Sequence, residues 1–226
     1  TTLGWTATQS GLLLVPAALT TAFMMPIIGR ILQKGIPQQY LVALGMLIFV
    51  GFCFWGSKIM TPDTSKDSFF WMLILRGFAM GLLFIPITTL SLSTLKGREI
   101  GDGAAFTGMM RQLGGSFGIA MITTFLSRKL MEHRSDLVSK LDVYNPLVQQ
   151  KISMLKTGFI ARGVNAYNAP KAAYTALDFS VMKQASVLAY MDVFHLIGIL
   201  FVICIPFVLM VKGNRNKAVK VSEALH

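Results

Sequence analysis

Carboxylates are scarce in this chain of 226 residues, with 10 Asp and Glu against 21 Lys and Arg. Charge of either sign makes up only 14% of the sequence, where a soluble domain carries about a quarter. That deficit argues against a soluble fold. Cysteine is nearly absent too. Cys53 and Cys204 stand far apart in apolar sequence, which excludes a disulfide framework or a thiolate metal cluster and leaves both as small packing residues. No basic segment interleaved with aromatics marks a nucleic-acid reader, so the net charge of +11 does not point to nucleic acid. The first apolar run has no basic region ahead of it and no small-residue cleavage pattern behind it, so it does not read as a signal peptide.

What the chain does have is grease. Hydrophobic residues make up 54%, and the mean hydropathy is +0.60. The apolar residues gather in five runs, at about 11–32, 40–59, 69–92, 104–126 and 187–211. Each reaches the roughly 20 residues a helix needs to cross about 30 Å of hydrocarbon. The expected fold is all-α, a polytopic transmembrane helix bundle. Its expected organisation is four membrane helices over 1–127, a helical insert outside the cytoplasm over 128–184, a last membrane helix over 185–211 and a basic cytoplasmic tail over 212–226.

Two of the runs carry an arginine well inside them, Arg76 in the third and Arg111 in the fourth. A cation in lipid costs at least ~2.5 kcal/mol, so such residues face a polar cavity and mark a transport path. Thr107, Arg111, Gly115 and Gly118 share one helical face, small and polar. Phe106, Thr107, Met109, Met110 and Gln112 complete the candidate cavity wall, Met being an adaptable lining for varied apolar ligands. Gly77 and Gly81, four apart, together with Gly114, Gly115 and Gly118, read as close helix-packing positions. The second run is uniformly apolar and is expected at the lipid-facing rim. The first, third and fourth runs are expected to form the wall of the cavity, with the second and fifth outside it.

The insert opens with signals of its own. Asn145-Pro146 ahead of Leu147, Ile152, Leu155 and Phe159 reads as an N-cap and first-turn proline on an amphipathic helix. Asn168-Ala169-Pro170 starts a second helix in the same way, and no breaker separates it from the last apolar run. A helical hairpin projecting from the membrane follows. Arg30, Lys34, Lys96, Arg98 and the tail cations fall on one side of the membrane, which the positive-inside rule makes the cytoplasm. An odd number of spans then puts the first residues outside, so further helices are expected ahead of them.

The turn Gly29-Arg30, with Lys34-Gly35, resembles the end of the signature loop of the major facilitator superfamily, with Gln33 where that loop carries an acid. The stretch Arg111-Gln112-Leu113-Gly114-Gly115-Ser116-Phe117-Gly118 resembles the penultimate helix of its fourteen-helix drug:proton antiporters (EmrB/QacA type). Ala189-Tyr190-Met191-Asp192-Val193-Phe194 and the long insert before it resemble the same family. The resemblance covers essentially the whole chain. It implies the last five helices of an exporter of amphipathic or cationic small molecules, driven by inward proton flow across the cytoplasmic (inner) membrane. It implies as partners the missing N-terminal transmembrane half, small-molecule substrate and protons, membrane lipids and a periplasmic adaptor. It implies no cofactor or metal and no enzymatic activity.

Other readings compete. Asp192 and His195, one turn apart, could relay protons, or simply meet water at headgroup level. Gly114-Gly115-Ser116-Phe117-Gly118 matches the spacing of a hydrolase nucleophile elbow, but that elbow needs a strand before it, and this stretch is helical. Ser116 paired with His195 as a protease dyad is the remaining enzymatic idea. A transporter of another cargo (a sugar, siderophore or lipid) and a membrane scaffold docking a partner through the hairpin are the alternatives to drug export.

Overall fold

A computed structural model describes residues 7–59, 66–92, 95, 97, 99–141 and 145–210. Lys96, Arg98, the first residues and the basic tail, all used in the orientation argument, lie outside the described residues. Six helices fill the described residues: α1 (Ala7–Gln33), α2 (Gln38–Ile59), α3 (Lys66–Leu92), α4 (Glu99–Ser139), α5 (Pro146–Ala161) and α6 (Ala169–Met210). In hydrocarbon every backbone polar group must be satisfied within the protein, and a helix does this segment by segment. The side-chain hydroxyls follow suit. Thr20 donates to the Pro16 carbonyl, Thr107 to Gly103, Ser116 to Gln112 and Thr124 to Ala120, each four residues back.

Four of the helices are long and apolar enough to cross a membrane: α1, α2, α3 and α6. Five were expected. The stretch 104–126 lies in α4, where Arg111, Gln112 and a run of glycines dilute the apolar character. Length does not limit it. At 1.5 Å per residue, α4 with 41 residues and α6 with 42 are each about 60 Å long, twice a bilayer core. Both are unbroken, so the membrane runs continue as helix into the insert at residues 127–128 and 184–185.

The packing order is α1 on α3, α3 on α2, α2 on α6, and α6 on both α4 and α5. The expectation that the second run lies at the rim is therefore wrong. α2 sits between α3 and α6, burying Val42, Phe49, Phe52 and Cys53 against Met72, Ala79 and Leu83, with Phe194 and Phe201 alongside. Its glycines explain the position. A Cβ on Gly45 would stand 3.0 Å from the Leu82 Cβ, and one on Gly56 3.0 Å from the Met72 methyl. A helix that looks featureless by composition carries small residues toward both neighbours. Phe49 stacks on Phe201 at 4.6 Å between ring centroids, and Phe52 meets Phe194 edge-on at 5.8 Å.

α1 and α3 meet closely. A Cβ on Gly77 would collide with the Ala17 carbonyl oxygen, and one on Gly81 would stand 2.7 Å from the Met24 Cβ. Thr21 uses the approach, its hydroxyl lying 3.0 Å from the Gly77 carbonyl oxygen and 2.9 Å from that of Ala17. α1 then stops at Gly35, whose φ of +82° is left-handed and whose amide donates to the Leu32 carbonyl at 3.0 Å.

α5 begins as expected. Asn145 has an extended backbone and its side-chain oxygen accepts from the Leu147 amide at 3.0 Å, with Pro146 at the first helical position. It ends at Gly163, φ +89°. There Gly163 donates to Ile160 and Val164 to Phe159, the paired bonds of a glycine C-cap. α5 folds back along the first part of α6, leaving a groove of about 850 Å³ lined by Phe159, Val164, Lys171 and Phe179 among others.

Two outcomes test this packing. Gly77→Ala is expected to lower the detergent-unfolding midpoint of the purified protein by an amount worth about 1–3 kcal/mol, the usual range for overpacking. Gly51→Ala is the control, because nothing lies within 4 Å of a Cβ there; it leaves the midpoint in place or raises it. Asn145→Ala removes the cap of α5, costing about 1 kcal/mol, and is read as faster amide exchange confined to the first turn of that helix.

Candidate functional site

Arg111 projects from α4 toward α3. Its guanidinium lies 5.6 Å from the centroid of the Phe84 ring, within cation–π range. It is exposed, and no carboxylate pairs with it among the described residues. Around it on the same face lie Thr107, Gly108, Gly115 and Gly118, so the space beside the guanidinium is open. Thr107 has its hydroxyl proton turned to Gly103 and offers only its lone pairs outward.

The candidate wall divides between two faces. At about 100° per residue, Phe106 and Met109 sit roughly opposite Arg111 on α4, with Met110 and Gln112 on the flanks. Phe106 is 61% exposed and Met109 63%. Arg111 thus shares its surface with small residues, and the large apolar residues form a separate surface. Gly114, Gly115 and Gly118 were expected at a helix contact, yet nothing stands within 4 Å of a Cβ on any of them. Gly77 and Gly81, by contrast, are contact positions of α1 and α3.

Arg76 is half-buried on α3 and makes no ion pair among the described residues. It lies eight residues before Phe84, about 12 Å along the helix, so the two arginines are not one cluster. Of the signature turn, Gly29 and Arg30 lie in the last turns of α1, and Lys34 and Gly35 form its exposed end. The Gly35 backbone gives that residue a structural reason of its own.

Asp192 and His195 do not meet. The Asp192 Oδ2 lies 2.9 Å from Nε2 of His133 on α4. The His195 ring turns instead to α2. Its Nδ1 is 3.0 Å from the Met191 carbonyl oxygen, so that nitrogen carries the proton, and its Nε2 is 3.3 Å from the Ser57 hydroxyl. The physical reason is that α6 is sandwiched: side chains three positions apart diverge enough to be claimed by different neighbours. Ser116 donates to its own helix at Gln112, so the Ser116–His195 dyad is not assembled.

Sequence reasoning passed over His133, Arg134, Asp178, Phe84 and Ser57. Arg134 reaches Asp178 at 2.8 Å, a second tie between α4 and α6. A signal existed, since Asp178 and Asp192 are fourteen residues apart and fall on one side of a helix. Lys129, bonded to Glu132 at 2.8 Å, stands beside this seam. Its pKa is raised by that hydrogen bond, and the Glu132, Asp192 and Asp136 carboxylates add to the shift.

Comparison with known proteins agrees with this architecture. The chain is 28% identical over 153 residues to the multidrug export protein EmrB of Escherichia coli K12, covering 68% of this chain and 30% of that protein. It is 24% identical over 212 residues to the fatty acid resistance protein FarB of Neisseria gonorrhoeae, covering 94% of this chain and 40% of that one. It is 33% identical over 143 residues to the uncharacterized MFS-type transporter YhcA of Bacillus subtilis, covering 63% and 26%. The chain therefore spans between about a quarter and two-fifths of these relatives. No solved structure matches significantly. Residues 1–119 match the Major Facilitator Superfamily. With that match over half its length and with four helices apolar enough to span a bilayer, the chain is a multi-pass membrane protein and belongs to the major facilitator superfamily.

Proposed function

We propose that this chain is part of a proton-coupled exporter of amphipathic small molecules in the cytoplasmic (inner) membrane. Its tail lies in the cytoplasm and the α4–α5–α6 insert outside. The observation that carries the reading is Arg111, a guanidinium without an ion pair among the described residues, resting on an aromatic ring in the middle of an apolar stretch. Such a group is stable only where water or a ligand reaches it. Relatives named for multidrug export support the direction of transport. Transport in this fold is rocking of two helix bundles about a site near the bilayer midplane. In this reading the bundle made here is completed by helices outside this chain, and the exposed surface of α4 is where the two meet. The domain limits at 127–128 and 184–185 are then limits of membrane depth on continuous helices. A periplasmic adaptor would meet the insert.

A second reading concerns cargo. The five apolar runs contain one acid, Asp192, which His133 already holds. An acidic, lipid-like cargo would find a counter-charge in Arg111, and one relative is named for fatty acid resistance.

One experiment addresses both. In the complete protein, Arg111→Ala is expected to abolish proton-driven efflux while membrane insertion stays normal, measured by dye retention and by the amount of protein in purified membranes. If loss extends to a cationic dye and a long-chain fatty acid alike, Arg111 serves the transport cycle. Loss confined to the fatty acid makes it the counter-ion of an acidic cargo. Unchanged efflux of both refutes the role of Arg111.

A further inference from the structure

The seam between α4 and α6 holds a polar cluster that the transport surface at Arg111 does not use. His133 and Asp192 are 2.9 Å apart and partly exposed. The next residue on α4, Arg134, bonds Asp178 at 2.8 Å. Asp178 and Asp192 are about 21 Å apart along α6. Neighbouring side chains of α4 therefore reach in opposite directions and strap it across α6.

The two straps answer differently to protons. Arginine stays charged at any accessible pH, so the Arg134–Asp178 tie is constant. Histidine changes charge between about pH 5 and 8. A neutral His133 donates from Nε2 to the Asp192 carboxylate. A proton added at Nδ1 turns that contact into an ion pair and adds the attraction between two opposite charges. Other charged groups surround the pair. On α4 these are Lys129, which feels the Asp192 carboxylate, Glu132 bonded to that lysine, and Asp136. On α6, His195 is turned toward Ser57 of α2, where Lys58 follows and is exposed. α5 meets α6 farther back, around residues 171–180, where Lys171 lines the groove.

We propose that His133 and Asp192 form a proton-binding site at the insert end of the membrane bundle, whose occupancy sets how firmly α4 is held to α6. The site rests on the export reading for its side of the membrane, though not for its chemistry. α4 is unbroken from Glu99 to Ser139, so His133 and Arg111 ride one rod, about 33 Å apart. The Arg111 half touches α3 through Phe84 and through the approach of Gly103 to Leu92, with Leu95 of the following turn beside it. A proton arriving at His133 tightens the far end of that rod, and its departure frees the Arg111 half to swing.

The test places spin labels at Ala120 and Ile199, exposed positions on α4 and α6, in the complete protein with Cys53 and Cys204 replaced, reconstituted in lipid. Pulsed dipolar distances are recorded at about pH 5.5 and 8, on either side of the histidine range. The wild-type distance is expected to shift between the two. His133→Arg, which keeps the cation at both, holds the acid distance throughout, and His133→Gln holds the alkaline one. A wild-type distance that does not move, or one that still moves in His133→Gln or His133→Arg, overturns the proposal. Dye efflux by the same protein separates the two claims: a shift without efflux leaves the proton site standing and removes the export reading.

Discussion

Close backbone approach is the constraint on which this bundle depends. Inside hydrocarbon, apolar side chains gain nothing by leaving lipid for one another, so helices associate by van der Waals fit and by hydrogen bonds between them. Gly77 lies against the Ala17 carbonyl of the neighbouring helix, and the Thr21 hydroxyl spans from one backbone to the other. Gly45 and Gly56 do the same for α2, and Gly198 stands ready on α6, where a Cβ would lie 3.4 Å from that of Cys53. Each contact orders a pair, and the pairs add up to the row α1, α3, α2, α6. The aromatic stack of Phe49 on Phe201 follows from that order.

α4 departs from the rule. Past Gly103, which packs near Leu92 and Leu95, a Cβ on Gly108, Gly114, Gly115 or Gly118 would meet nothing within 4 Å among the described residues. It is tied down at one end by the contacts of His133 with Asp192 and of Arg134 with Asp178, and at the other by a ring under a guanidinium. A helix held at its ends with an open middle leaves surface for a ligand or for another bundle. The same arrangement leaves Arg111 exposed, with no carboxylate paired to it among the described residues.

Much of this was legible in the sequence. Lengths of apolar runs announced the helices because 20 residues and 30 Å are one fact. Asn145 and Pro146 announced the start of α5 because capping chemistry is local. Gly77 and Gly81 announced a close crossing by their spacing. The place of α2 was not legible, because hydropathy measures preference for a greasy phase and does not distinguish lipid from neighbouring helix. Nor was the partner of Asp192. His133 is 59 positions away, and periodicity along a single helix says nothing of what faces it.

The sequence by itself determined that this chain is helical, multi-spanning and short of acids, and that it carries arginines where lipid forbids them. Those properties depend on neighbours along the chain and on the thickness of a bilayer. Tertiary structure alone decided that Asp192 serves His133, that His195 serves Ser57, and that Arg111 lies on Phe84 with its glycine face open. Such pairings depend on which helices lie side by side, and several sets of neighbours satisfy the same pattern of apolar runs. Packing selects one by the fit of small residues to backbone, a contact between distant segments that no local rule contains.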